Sequence, residues 1–285
     1  MADIKPTATV KPVTTVQAKK SSNIISLLAP VICLIIGYIL WRFVLGNPDN
    51  FGHGTDGGFW PDRDEPKTVL SRMYLGGIIV PILIGTFLTM ITFVVERFLT
   101  ISKATGTGNN ADFIRKVQYN LANKNVDAAI AECDKQKGSV GNVMKAGLYR
   151  YRDMISNNEL STEQKVLAIQ KEVEEATALE LPMLEKNLVF LSTIASIATL
   201  VGLLGTVMGM IRAFAALGED SGGGAAASKL SVGIAEALYN TALGIGTSAV
   251  AIVFYNIFTT RIDGITYGID ESGFTLTQSF ASLYK

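Results

Sequence analysis

Four long apolar stretches constrain this chain more than any other feature of its sequence. Ile24 to Gly46 holds one charge, Arg42. Tyr74 to Val95 and Leu188 to Ile211 hold none, and Val232 to Thr260 holds one, Glu236. A hydrocarbon core of ~30 Å takes about 20 helical residues to cross, so each stretch is long enough to span. The expected fold class is an all-α membrane protein with four transmembrane helices, over residues 24–46, 74–95, 188–212 and 232–260. Charged residues make up only 18% of the chain, against roughly 25% in soluble domains. The 25 Lys and Arg balance the 25 Asp and Glu, which excludes a nucleic-acid binder held by a basic surface.

Two Cys and one His make neither a disulfide scaffold nor a His-rich metal site. No G-x-x-x-x-G-K-[ST], no G-x-S-x-G and no paired-carboxylate constellation occurs. The expectation is no enzyme, no cofactor and no metal.

Lys19 and Lys20 precede the first span as in a signal peptide. Its apolar run exceeds the about 7–15 residues of such a segment, and Val44-Leu45-Gly46 is a poor cleavage site. The span therefore reads as a retained anchor. The tail 1–23 carries Lys5, Lys11, Lys19 and Lys20 against Asp3 alone. Segment 47–73 carries Asp49, Asp56, Asp62, Asp64 and Glu65 against Arg63, Lys67 and Arg72. By the positive-inside rule the tail is cytoplasmic and 47–73 is a periplasmic loop. Segment 96–187 is then a cytoplasmic domain, 213–231 a second periplasmic loop, and 261–285 a cytoplasmic C-tail. Segment 96–187 holds 13 of the 25 basic residues, in agreement.

The middle segment reads as helical. Phe113, Ile114, Val117, Leu121 and Val126 recur at helical spacing, and Ser161-Thr162-Glu163-Gln164 fits a capping box. From Thr162 only Pro182 interrupts the pattern before the third span. A very long helix, about 75 Å from Thr162 to Ile211, is expected to run from the cytoplasm into that span. Gly106-Thr107-Gly108-Asn109-Asn110-Ala111 matches G-x-G-x-x-A only superficially, because no strand precedes it, and reads as a turn between helices. The Glu172, Glu174 and Glu175 run reads as a solvated helix face.

Polar groups in the last two spans fall on faces. Ser192, Ser196, Thr199 and Thr206 lie within about 80° of one another, and Glu236, Asn240 and Thr247 cluster on the fourth span. Such a face turns to a partner or to water, although Ser and Thr also bond back to their own helix. Glu236 is either a functional ionisable group or an interfacial one within reach of water. Gly205 and Gly209 make G-x-x-x-G. With Gly202 and Gly244 they are expected to pack the third and fourth spans closely.

Leu191 to Phe214, with G-L-L-G-T-V-M-G-M, and Gly233 to Gly246, with G-I-A-E-A-L-Y-N-T-A-L-G, resemble two core helices of the ExbB/TolQ/MotA proton-channel family, nearest to ExbB. The resemblance covers residues 74–260. The first span has no counterpart in three-span members. The resemblance implies a multi-pass subunit of the bacterial inner membrane. It implies a homo-oligomer, a pentamer, around an ExbD- or TolR-like single-span protein that carries the membrane Asp. A TonB-like protein passes the work outward; membrane lipid is the other partner, and nucleic acid is not one. By motif match Thr206 and Thr241 line the proton pathway, with Glu236, Asn240 and Thr199 beside them. Three departures stand out: Val232 for the usual Pro, Ala198-Thr199 for a frequent Ala-Pro, and Tyr239-Asn240 for small residues. TolQ-like, flagellar or gliding stator, and non-conducting scaffold readings stay open beside the ExbB-like one.

Overall fold

The computed structural model describes residues 23–52, 66–219 and 223–284. The N-tail expected to be cytoplasmic lies almost wholly outside the described residues, as does much of the loop expected at 47–73. The described chain is helical, with one isolated bridge between Phe51 and Pro66. Its elements are α1 (Asn23–Leu40), α2 (Val69–Leu75), α3 (Ile79–Thr105), α4 (Asn110–Ala122), α5 (Val126–Gln136), α6 (Gly138–Ser156), α7 (Thr162–Glu185), α8 (Leu188–Glu219) and α9 (Gly223–Leu283). Among the described residues, four helical regions are long and apolar enough to cross a membrane.

The first span is α1 with a π-helical continuation at Trp41–Leu45. It lies against α3, where backbones meet at glycine. A Cβ on Gly37 would stand 2.7 Å from the Gly85 nitrogen, and one on Gly85 would stand 2.9 Å from the Leu34 Cα. At the end of this pair Trp41 stacks on Tyr74 with ring centroids 4.5 Å apart. The Trp41 indole donates to the Tyr74 carbonyl at 3.2 Å. Stacked aromatics with one polar end satisfied suit the rim of a membrane.

The second span begins later than the apolar pattern predicts. Tyr74 and Leu75 belong to the short α2, which Thr68 and Ser71 start with a capping box. Gly76 and Gly77 then break the chain, Gly77 at φ +73°, where a side chain is unfavourable. Helix α3 starts at Ile79, with Pro81 inside its first turn, where a missing N–H costs little.

The expected unbroken helix from Thr162 into the third span is interrupted. Helix α7 starts with the expected capping box at Ser161 and Gln164 and runs through Pro182 to Glu185. Lys186 and Asn187 separate it from α8, with Asn187 at φ +68°. The cause is tertiary. Arg97 of α3 donates to the carbonyls of Met183 at 3.4 Å and Leu184 at 3.1 Å, and Asn187 donates to Glu96 at 3.3 Å. Carbonyls freed at a helix end thereby find donors, so ending the helix here leaves them satisfied.

The longest helix is instead α9, whose 61 residues take in the fourth span and nearly all of the expected C-tail. Helix α8 continues to Glu219 and α9 starts at Gly223, so helix occupies most of the loop expected at 213–231. Ile262, Ile265, Ile269, Leu276 and Phe280 of α9 are buried in one core with Phe113, Val117, Val143, Met144, Leu148 and Ile169. Burying each large side chain contributes about 1.5–3 kcal/mol. Gly147 lets α6 approach closely, since a Cβ there would stand 2.5 Å from Leu276 and 2.8 Å from Val173. The segment Gly106–Ala111 is the expected turn. Asn109 caps α4 by accepting from the Ala111 amide, and Thr107 donates to the Lys135 carbonyl at 2.7 Å. The helical domain is thus α4–α7 together with the far half of α9.

Candidate functional site

The site candidates lie on the antiparallel α8/α9 pair, held together by a seam of small residues. A Cβ on Gly202 would stand 3.0 Å from the Gly244 Cα, and one on Gly244 would stand 2.6 Å from the Ala198 carbonyl. One on Gly205 would stand 2.6 Å from the Asn240 Cβ, and one on Gly209 would stand 2.9 Å from the Ala237 Cβ. Ala213 meets Gly233 in the same register. Between membrane helices the driving force is dispersion contact rather than the hydrophobic effect, so close backbone approach matters. Gly202, Gly205, Gly209 and Gly244 all fall on this seam.

Thr206 and Thr241 stand at its edge, and their hydroxyls hydrogen-bond to each other. Each hydroxyl also lies 3.3 Å from the Gly202 carbonyl. Two hydroxyls offer two protons and four lone pairs. One proton goes to the carbonyl and one to the neighbouring oxygen, which leaves acceptor capacity at both. Such a pair can take up or supply a hydrogen bond to a passing acid or water without holding a charge itself. Both threonines are half-buried, and Leu203, Val207, Met210, Ile211 and Phe214 make an open apolar groove beside Thr206.

The other expected lining residues do not all join this pair. Thr199 lies two turns along α8 on the same side and is exposed. Glu236 is half-buried and lies about 140° around α9 from Thr241. Asn240 is buried within the chain, donates to the Gly76 carbonyl at 3.3 Å, and packs against Gly205. It holds the α2–α3 turn against α9 and points away from the threonine pair. Its bulk fits only because Gly205 and Gly76 lack side chains. No sequence signal joins Asn240 to Gly76, since the two are 164 residues apart.

No group of three or more His, Cys, Asp or Glu that could hold a metal occurs among the described residues.

Residues 135–271 match the MotA/TolQ/ExbB proton channel family. The chain is 37% identical over 86 residues to a "Putative biopolymer transport protein ExbB-like 3" of Synechocystis sp., covering 30% of this chain and 41% of the relative. It is 40% identical over 96 residues to the "Tol-Pal system protein TolQ" of Haemophilus influenzae, covering 32% and 41%. It is 42% identical over 82 residues to the "Biopolymer transport protein ExbB" of Pseudomonas putida, covering 29% and 24%. The aligned stretch thus spans less than half the length of each of these relatives. With four apolar helices and these relatives, the protein is a multi-pass protein of the bacterial inner membrane. The matched region contains the whole α8/α9 seam with Thr206 and Thr241, so it is the seam that is similar to the MotA/TolQ/ExbB proton channel family.

Proposed function

We propose that the chain is an ExbB-type subunit of a proton-driven motor that energises a TonB-like protein for outer-membrane transport. It works as a homo-oligomer, a pentamer by resemblance, around an ExbD- or TolR-like single-span partner. That partner brings the titrating Asp. This chain supplies the lining, with Thr206 and Thr241 as its central rung and Thr199 beside them. Glu236 and Asn240 belong to the same machinery, Asn240 by holding the α2–α3 turn. Both termini and the helical domain face the cytoplasm.

The observation that carries this reading is the Thr206–Thr241 hydroxyl contact at the motif-matched positions. A carboxylic acid that loses and regains a proton in a low-dielectric site needs hydroxyls or water to satisfy both of its states. A fixed charge in the lining would trap one state instead.

The test uses the chain co-purified with its single-span partner, in liposomes with an imposed pH gradient. Thr206→Val and Thr241→Val are each expected to cut proton flux by about tenfold or more, with oligomer mass unchanged. Flux equal to wild type in both variants would sink the proposal.

The TolQ-like reading has the Haemophilus influenzae match behind it. Deleting the gene separates the two. Loss of TonB-dependent uptake with an intact envelope fits the ExbB role, and envelope leakage with normal uptake fits the TolQ role.

A further inference from the structure

Two glycines make the α2–α3 turn, and each meets a different helix of the candidate site. Asn240 of α9 donates to the Gly76 carbonyl at 3.3 Å. The Arg212 guanidinium of α8 lies over Gly77, where a Cβ would stand 3.0 Å from its Nη1. Asn240 immediately precedes Thr241, and it packs against Gly205, which immediately precedes Thr206. The turn therefore bears on both helices beside the threonine pair.

The first span holds this turn from the other side. Tyr74, near the end of α2, is almost wholly buried between Trp41, stacked at 4.5 Å, and Phe51, edge-on at 5.7 Å. The Tyr74 carbonyl accepts the Trp41 indole at 3.2 Å and the Gly77 amide at 3.3 Å. One oxygen thus ties the π-helical end of the first span to the turn. Leu243, about one helical turn beyond Asn240 on α9, packs against the same aromatic cluster.

The rotation of α9 about its own axis decides whether Thr241 meets Thr206. The seam alone sets that rotation weakly, because glycine and alanine present no knob to lock into a facing hole. Asn240 is the large side chain in the seam, wedged between Gly205 and Gly76. It lies about 100° around α9 from Thr241, so the helix is held on two sides, by α8 and by the turn. Without the second hold, a small rotation carries the Thr241 hydroxyl out of hydrogen-bond range. The Asn240 Oδ1 is buried and has no hydrogen-bond partner among the described residues. The bond this amide makes and the one it lacks roughly offset each other, so the side chain contributes orientation rather than stability.

From this juxtaposition we infer that Trp41 of the first span and Asn240 are positioning residues for the Thr206–Thr241 pair: through the Gly76-Gly77 turn they fix the rotation of α9 that brings Thr241 onto Thr206. The inference rests on the proton-channel function proposed above, and it gives the first span a part in that function.

The experiment uses the full chain co-purified with its single-span partner. Disulfide formation in a Thr206→Cys/Thr241→Cys chain under mild oxidation, read as the linked peptide by mass spectrometry, reports the register. Proton flux in liposomes, in the chain that keeps both threonines, reports function. Trp41→Ala and Asn240→Ala are each expected to slow the cross-link and to lower flux by about fivefold, the weight of one ordinary hydrogen bond. Trp41→Phe keeps the stack and restores most of both. Melting of Asn240→Ala in detergent stays near the parent value, whereas a merely structural role would lower it. Both residues act through one turn, so the double variant is expected to match the weaker single variant, while independent effects would multiply to about 25-fold and overturn the shared turn. Cross-linking at the parental rate in both single variants overturns the inference, and a flux loss in Thr206→Val then leaves the proposed function standing. A slowed cross-link with wild-type flux in both single variants and in Thr206→Val overturns the proposed function, and with it the part of the first span in conduction.

Discussion

Arg97 donates from its guanidinium to the backbone carbonyl of Leu184 at 3.1 Å, and so ties the end of α7 to the domain end of α3. The side chain is almost wholly buried and is also paired with Glu96. Arg97→Ala removes a charged donor from buried carbonyls and leaves Glu96 without its cation. Hydrogen bonds to charged groups contribute about 1.5–3 kcal/mol each. The expected outcome is a loss of at least that size in thermal unfolding, with new proteolysis near residues 183–190. Arg97→Lys restores only part, because lysine lacks the planar fork that reaches carbonyl and carboxylate together. Full rescue by lysine would show that charge alone matters.

The glycine seam predicts a sharp contrast among glycines of one helix. A Cβ at Gly244 meets the Ala198 carbonyl at 2.6 Å, whereas one at Gly246 meets nothing within 4 Å. Gly244→Val therefore has to push α8 and α9 apart, at a cost of about 1–3 kcal/mol for overpacking. Gly246→Val adds a side chain in open space and leaves detergent stability unchanged. Melting of the two purified variants, compared side by side, tests the seam.

The first span can be trapped where it lies. The Cys33 sulfur is 3.6 Å from the Thr92 hydroxyl across the α1–α3 contact. Thr92→Cys is expected to form a disulfide with Cys33 under mild oxidation in membranes. Adding Gly37→Leu, whose Cβ falls 2.7 Å from the Gly85 nitrogen, abolishes the cross-link. A cross-link that survives Gly37→Leu would mean the two helices do not meet at glycine.

Burial, helped by the neighbouring Asp134, pushes the Cys133 thiol up to about 12. The folded domain therefore favours the neutral thiol more strongly than the unfolded chain does. That contribution to stability is complete below about pH 9 and is lost as pH rises toward 12. At pH 8.5 iodoacetamide is expected to leave Cys133 unmodified until urea unfolds the domain. Cys133→Ala flattens the alkaline part of the stability curve.

Much of this architecture was legible in the sequence because its determinants are local. The four spans follow from apolar runs, the α7 start from Ser161 and Gln164, the α3–α4 turn from Gly106 and Asn109, and the seam from glycine spacing. The α2–α3 break was also written there, in Gly76-Gly77 ahead of Pro81, but the apolar run hid it. The C-tail carried a helical signal in Ile262, Ile265, Ile269, Leu276 and Phe280, which charged residues dilute. Two features were beyond local reading. The break at Asn187 depends on Arg97 and Glu96, some 90 positions away, and the role of Asn240 depends on Gly76. In both cases the partner that decides the conformation arrives only with the fold.

Three connections join the spans to the domain: the turn between α3 and α4, the break between α7 and α8, and the continuous α9. Helix α9 passes without a break from the seam at Thr241 to the core at Phe280, so one helix carries both the lining and part of the domain core. Helices α7 and α8 meet at a two-residue break pinned to α3 by Arg97 and Asn187. The domain is therefore joined to the spans by one continuous helix and by two connections where the helix is interrupted.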